Sequence, residues 1–135
     1  MELYVGIDVA KERLDIHVND VKNGDCCFEN SKEGIKKLNA LLKNFQSENH
    51  VVKLIICEAT GGYEKLLSNM LRAKEFPIHV AHANKVRNFA KAIGKFAKTD
   101  KIDTQVLSEY AQAFKPNPDK VFLSPELETL RAFIG

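Results

Sequence analysis

Two aspartates lie within the most basic part of the chain, in the stretch KTDKIDTQ (98–105). Asp100 and Asp103 are three positions apart, so a helix would present both carboxylates on one face. One interpretation is purely structural: Asp100 caps a helix and Asp103 pairs with a neighbouring lysine on the surface. The other is that both are metal ligands, which requires further acids from elsewhere in the chain.

Two such acids occupy positions where buried strands are expected to end. Asp8 lies near the end of the apolar run LYVGIDV, and Glu58 directly follows the run VVKLIIC. A buried carboxylate is costly unless it is paired or bound to a cation. If the two strands are neighbours, Asp8 and Glu58 meet at one edge of the sheet. Alternatively, Asp8 is a turn acid before Lys11, and Glu58 is an acid at a helix N-terminus, where the helix dipole favours it.

The chemistry of such a site follows from its ligands. Carboxylate oxygens without histidine or cysteine suit Mg²⁺ or Mn²⁺ rather than zinc. Two such ions can activate a water or hydroxyl and stabilise the leaving oxygen in phosphoryl transfer. The hypothesis is therefore an Mg²⁺ or Mn²⁺ site formed by Asp8, Glu58, Asp100 and Asp103.

The positive charge of the chain is concentrated between Lys65 and Lys101, where only Glu75 and Asp100 are acidic. Such asymmetry is typical of a protein that binds a polyanion, although a solvated basic helix would look similar. The formal net charge of the whole chain is only +2, so the distribution carries the argument. The candidate nucleic-acid-binding residues are Lys11, Lys85, Arg87, Lys91, Lys95, Lys98 and Lys101.

Composition bounds the class of protein. The 135 residues are enough for one domain with its own core. The three cysteines show neither zinc-ligand spacing nor an even-numbered disulfide framework. No apolar run approaches membrane-spanning length and the N-terminus does not resemble a signal peptide, so a cytoplasmic location without a membrane partner is expected.

Hydrophobic periodicity predicts the element order β-β-β-α-β-α-β-α-α. The first three strands should form an antiparallel meander, with a turn at Asn23-Gly24, and the later strands alternate with helices. This is the order of an α/β, ribonuclease-H-like fold, a mixed sheet flanked by helices. The predicted strands are 3–9, 13–19, 25–30, 51–57 and 77–82. One helix is predicted to begin near Ser31. Three more helices are predicted over 61–75, 84–98 and 100–114, the last of them after an N-cap at Thr99.

The expected domain organisation is a catalytic domain at 1–115 followed by a linker and the start of a helical spacer at 116–135. KPNPDK (115–120) is punctuated by prolines, and a helix is expected from Ser124 with apolar residues at coiled-coil-like spacing. We therefore expect a fragment of a longer protein and a homo-oligomer formed through this helix.

Three blocks, GIDVAK (6–11), EATGGY (58–63) and KTDKIDTQVL (98–107), resemble the signature motifs of the DEDD transposases. These are insertion-sequence recombinases with a RuvC-like N-terminal domain, related to the Piv invertase. The resemblance covers about residues 3–115, and it implies a ribonuclease-H-like fold, DNA as the substrate and the four acids above as the catalytic, metal-binding tetrad. Thr104 stands where many members have alanine, which leaves the acids in register.

The same resemblance implies a second protein domain and an RNA partner in addition to the residues of this sequence. Members of the family have a second, C-terminal domain with a nucleophilic serine, which has no counterpart here, so this fragment alone is not expected to be fully active. Members also work with a structured guide RNA, which would suit the basic segment.

Other interpretations stay open. A RuvC-like nuclease or junction resolvase would use the same acids, and a non-catalytic nucleic-acid-binding domain would use them structurally. VGIDVAK also resembles the phosphate-binding turn of actin-like sugar kinases, but a second glycine-rich phosphate loop is missing. His79 and His82 are expected at the surface or at a helix entry rather than as ligands. Core packing is favoured over base stacking for three aromatic residues, Tyr63, Phe89 and Phe96.

Overall fold

The computed structural model describes residues 1–22, 24–94 and 104–119. Within these ranges the chain forms one five-stranded sheet with helices on both faces. The strands are β1 (Glu2–Val9), β2 (Arg13–Val18), β3 (Asp25–Glu29), β4 (Val51–Glu58) and β5 (Ile78–Ala81). The helices are α1 (Lys32–Ser47), α2 (Lys65–Ala73), α3 (Ala83–Ala92) and α4 (Thr104–Phe114).

The strand order across the sheet is β3-β2-β1-β4-β5. β1 pairs antiparallel with β2, which pairs antiparallel with β3, whereas β1–β4 and β4–β5 are parallel pairs. The meander and the adjacency of the first and fourth strands are as predicted. The mixed, ribonuclease-H-like α/β architecture is thereby confirmed. Of the predicted turn, Gly24 is described, and Asn23 lies outside the described residues.

Two apolar clusters lie on opposite faces of this sheet. On the first face, α1 and α2 bury residues such as Leu38 and Leu71 against Val5 and Ile7 of β1. On the second face, α3 and α4 pack on the sheet around Tyr4. Because successive side chains of a strand point to opposite faces, the apolar run of β1 serves both clusters, as its sequence predicted.

Gly6 allows α4 to approach β1 closely. A Cβ atom at this position would lie 2.8 Å from the backbone nitrogen of Ser108 and 2.9 Å from Cβ of Leu107, and it would be closer still to the carbonyl oxygen of Thr104. The hydroxyl of Ser108 also donates to the buried carbonyl oxygen of Tyr4 at 2.8 Å. The first turn of α4 is therefore fixed against the strand two residues before Asp8.

Two predicted helices are shorter than expected. The helix predicted over 61–75 begins only at Lys65, because Gly61 and Gly62 adopt left-handed backbone conformations, with φ of 74° and 113°. Tyr63 lies in this turn and is 49% exposed, so the prediction that it packs in the core was wrong. The helix predicted over 84–98 ends at Ala92, since Gly94 adopts φ of 73°, the conformation that commonly terminates helices.

Several predictions fall outside the described residues. These are the structure of the basic stretch 95–103, including the cap at Thr99, and the helix expected from Ser124. Phe89 is half-buried and packs edge-on against Tyr110 at a centroid distance of 5.6 Å, as expected, whereas Phe96 is not described. Among the described residues, no helix combines the length and apolarity that crossing a bilayer requires.

Candidate active site

Asp8 and Glu58 lie side by side at the carboxyl ends of β1 and β4. The parallel register pairs Ile7 with Cys57, so the two acids are the next residues on neighbouring strands. Ile7 and Cys57 both face the first cluster, and alternation along the strands therefore turns both carboxylates to the second face, where α3 and α4 pack. Both acids are half-buried. The structure thus brings together the two predicted acids that it describes.

The electrostatics of Glu58 reflect this proximity. Partial burial raises the pKa of Glu58, the negative charge of Asp8 raises it further, and the positive charge of Arg87 opposes both. Burial and a like charge both disfavour a second negative charge at the same place. A bound cation would relieve both costs, which is the behaviour expected of metal ligands.

Arg87 reaches this place from α3. The chain passes from Ala81, which pairs with Glu58 across β4–β5, through His82 and into the helix. The His82 ring accepts a hydrogen bond from the backbone N–H of Asn84 at 3.4 Å and is exposed, in line with its predicted place at a helix entry. Arg87 was predicted only as a phosphate contact, and its charge also acts on Glu58.

The turn between β4 and α2 is held by Glu64. Its carboxylate accepts hydrogen bonds from the backbone N–H and hydroxyl of Thr60, at 3.4 and 3.2 Å, and from the N–H of Gly62 at 3.0 Å. Burial alone would raise the pKa of Glu64, but these bonds together with one to its own backbone outweigh burial and lower the pKa. The turn that follows Glu58 is therefore held by hydrogen bonds between its own residues.

Asn30 connects this turn to the loop after β1. Its side-chain amide donates to the carbonyl oxygens of Ala10 at 2.8 Å and of Tyr63 at 3.1 Å. Because Ala10 follows Asp8 by two residues and Tyr63 follows Glu58 by five, one side chain joins the two segments that leave the acids. The rim of the site is thus fixed by long-range hydrogen bonds that local sequence patterns do not reveal.

Asp15 is a third acid on this face that sequence analysis did not select. It lies directly opposite Asp8 in the antiparallel β1–β2 pair, and opposed residues point to the same face. Its carboxylate accepts a hydrogen bond from Nε of Arg13 at 2.9 Å, which compensates its charge. The alternation of β2 was a usable signal, but the register with β1 was needed to place Asp15 beside Asp8.

The remaining predicted site residues divide into two groups. Lys11, Lys85 and Lys91 are exposed, the first on the β1–β2 loop and the other two on α3. The others lie outside the described residues, namely Lys95, Lys98, Asp100, Lys101 and Asp103. The structure therefore gives no position for half of the predicted tetrad.

The donor groups present suit a hard cation. Among the described residues, no group of three or more His, Cys, Asp or Glu side chains could hold a metal, so Asp8 and Glu58 would supply part of a site. The neighbouring thiol of Cys57 is no competitor, because burial raises its pKa to about 12 and keeps it protonated. Two oxygen donors without a thiolate fit Mg²⁺ or Mn²⁺ better than zinc.

Comparison with known proteins identifies the family. The family model of the DEDD transposases, described as "Transposase", matches residues 5–133. This chain is a member of the DEDD transposase family. The pilin gene-inverting proteins of Moraxella lacunata and Moraxella bovis are each 31% identical to it over 118 residues, covering 85% of this chain. The chain spans 35% of the length of these two relatives.

Two solved structures of Thermus thermophilus RuvC are similar to this DEDD transposase chain in shape. One, determined in complex with a Holliday junction substrate, has a TM-score of 0.47 and 13% identity, covering 86% of this chain and 99% of its own. The other has a TM-score of 0.43 and 14% identity, covering 73% and 74%. The family assignment and the resemblance seen in the three motifs agree, while the roles of the four acids stay a prediction.

Proposed function

We propose that this domain supplies the catalytic carboxylates of a DNA transposase or recombinase that performs divalent-metal-dependent phosphoryl transfer. The observation that carries the proposal is the placement of Asp8 and Glu58 on adjacent parallel strands, half-buried and facing α3 and α4. Family membership supports DNA as the substrate.

Asp8 and Glu58 would hold Mg²⁺ or Mn²⁺ together with Asp100 and Asp103. When bound, such ions would supply an activated water or hydroxyl and stabilise the leaving oxygen. The contact of Gly6 with the first turn of α4 supports this assignment, because Thr104 lies against β1 near Asp8 and directly follows Asp103 in the sequence.

The basic residues have two distinct tasks in this proposal. The positive charge of Arg87 opposes the costs of burial and like charge at Glu58 in the metal-free protein, and Arg87 would contact a phosphate close to the acids. Lys11, Lys85 and Lys91 lie exposed and would hold the DNA backbone through charge, independent of sequence. Lys95, Lys98 and Lys101 would extend this basic surface.

The activity of the whole protein is a further part of the proposal, since the chain covers 35% of its curated relatives. We infer that a later region supplies the nucleophilic serine, that a guide RNA directs the complex in the cytoplasm, and that the protein works as a homo-oligomer. These assignments rest on the resemblance to the DEDD transposases.

Manganese binding to the 135-residue chain tests the core of the proposal. We expect Asp8→Asn and Glu58→Gln each to weaken Mn²⁺ binding about tenfold or more, measured from the paramagnetic resonance signal of the free ion, because each removes an anionic ligand. Asp15→Asn is the matched control: it lies opposite Asp8 but is paired with Arg13, and it should retain the wild-type affinity. Equal affinity in Asp8→Asn and wild type would refute the metal site.

The same substitution has a predicted consequence in the complete transposase. Asp8→Asn should abolish recombination without lowering the melting temperature, because asparagine preserves volume and removes a charge that repels Glu58. If it recombined DNA at the wild-type rate, the mechanism would be wrong. Cleavage of a four-way junction by the wild-type 135-residue chain alone would instead favour a junction resolvase.

A further inference from the structure

The segment after α4, predicted as a linker, returns to the sheet. The N–H of Lys115 donates to the carbonyl oxygen of Ala111 at 2.9 Å, and φ of Lys115 is 44°, which turns the chain out of the helix. Four residues later, the N–H of Asp119 donates to the carbonyl oxygen of Ile78 in β5 at 2.8 Å. We call residues 115–119 the strap.

The side chain of Asp119 makes three more contacts. One carboxylate oxygen accepts hydrogen bonds from the backbone N–H of Val80 at 2.8 Å and from the guanidinium of Arg72 at 3.1 Å. The other lies 2.8 Å from Nδ1 of His79. His79, predicted at the surface or at a helix entry, is instead half-buried in this contact. A single residue of the strap is thus bonded to both α2 and β5.

These contacts complete the outer edge of β5. An edge strand normally presents unpaired N–H and C=O groups to solvent. Here, Asp119 satisfies both the carbonyl oxygen of Ile78 and the N–H of Val80, within a strand of only four residues. The strap therefore takes the place that a sixth strand would occupy, using one residue.

The opposite edge of the sheet offers a comparison. There, Asp25 of β3 lies 2.6 Å from Nδ1 of His17, which resembles the contact between Asp119 and His79. The side chain of Asp25 is 70% exposed, however, whereas those of Asp119 and Arg72 are 25% and 13% exposed. Exposed ion pairs contribute little, while partly buried, charge-assisted hydrogen bonds are stronger.

Two prolines lower the entropic cost of docking the strap. Pro116 and Pro118 restrict the backbone of the strap, so fewer conformations are lost when it docks. Pro116 is half-buried, but Asn117 and Pro118 are exposed, so only a small part of the apolar surface of the strap is covered. Most of the docking strength should therefore come from Asp119.

We propose that Asp119 anchors the strap to the edge of the sheet and fixes the point from which the chain continues beyond residue 119. β5 pairs with β4, and Glu58 lies at the end of β4, so a docked strap would hold Asp119, and with it the point from which the chain continues, at a fixed place relative to the acids. The docking stands on the contacts alone, whereas this consequence rests on the proposed function.

The test compares Asp119→Ala with Asp25→Ala by amide hydrogen exchange and backbone relaxation in the 135-residue chain. In Asp119→Ala, we expect the Val80 amide to exchange roughly tenfold faster, because its hydrogen-bond partner is gone. The amide of Asn117 should also have a lower order parameter than in the wild type, as measured by nanosecond backbone relaxation. Asp25→Ala should change neither, and the Cys57 amide, inside the sheet, should stay protected in both variants.

Wild-type exchange at Val80 together with wild-type order at Asn117 in Asp119→Ala would overturn the proposal. If this variant does not fold, Asp119→Asn preserves the size of the side chain but loses the charge that faces Arg72. It should accelerate Val80 exchange by a smaller factor, and no acceleration would again overturn the proposal. Mn²⁺ affinity should be the same in these variants as in wild type. The proposal for the strap and the proposal for the metal site can therefore be refuted separately.

Discussion

Two helices and an apolar cluster cover each face of the sheet, but only the second face also carries the two acids of the candidate site. On the first face, α1 and α2 cover the sheet with an apolar cluster that includes Leu38, Leu42 and Leu71. On the second face, α3 and α4 form a smaller cluster, and the carboxylates of Asp8 and Glu58 lie at its margin. The first face therefore supplies the larger part of the apolar core. The second face accommodates two carboxylates, which a purely apolar interface would exclude.

A glycine brings a backbone segment close to the sheet on each face. A Cβ atom added to Gly34 of α1 would overlap the backbone carbonyl of Glu29, and one added to Gly6 of β1 would overlap the first turn of α4. The first contact positions only a structural helix, whereas the second positions the helix that follows Asp103 in the sequence. Substitutions on the two faces should therefore separate loss of stability from loss of metal binding.

The largest loss of stability is expected from the first face. Leu38 is fully buried, and Leu38→Ala should lower the free energy of unfolding by about 2–5 kcal/mol, because a cavity remains. Urea denaturation measures this effect, and Mn²⁺ affinity at low urea should not change. Leu41→Ala is the control on the same helix and should cost less, since Leu41 is only half-buried. Comparable losses in both variants would contradict the assignment of this face as the main core.

A smaller loss of stability, with a different signature, is expected for Gly6→Ala. The added methyl group would overlap the backbone of α4, so the helix must move, at a cost of about 1–3 kcal/mol. Because α4 follows Asp103, Mn²⁺ affinity should fall as well. Gly34→Ala creates a backbone overlap on the first face and should lower stability while preserving Mn²⁺ affinity. If both alanine variants bound Mn²⁺ equally, α4 would not position the site.

What could be predicted from sequence was largely local. The apolar run of β1 and the alternation of β2 define strands and their buried faces, and the adjacency of β1 and β4 follows from the element order. The pairing of Asp15 with Asp8, the charge of Arg87 near Glu58 and the docking of Asp119 depend on contacts between distant segments, which periodicity does not encode. Tyr63 was misplaced for a local reason, because helical spacing concealed the two positive-φ glycines before it.

The smallest effect expected is a pH dependence from Glu58 in the metal-free protein. Burial raises the pKa of Glu58 above its ordinary value of 4.5, with Asp8 adding to the rise and Arg87 opposing it. The folded state therefore binds this proton more readily than the unfolded state does. As the pH falls from neutral through the raised pKa, the penalty for the charged carboxylate is relieved and this contribution to stability increases; below the ordinary value it changes no further. Partial exposure of Glu58 keeps the effect small, since solvent screens the charges.

Urea denaturation in EDTA between pH 7 and 4.5 should reveal this contribution as a difference between wild type and Glu58→Gln. Glutamine cannot ionise, so the variant should be the more stable protein at neutral pH, and its advantage should shrink as the pH falls. A difference that stays constant over this range would show that Glu58 carries no raised pKa. Saturating Mn²⁺ should reverse the trend for the wild type, because cation binding requires the deprotonated carboxylate and stabilises the folded state most at neutral pH. The same carboxylate would then be a cost to the fold without metal and a source of stability with it, which Leu38 on the first face cannot be.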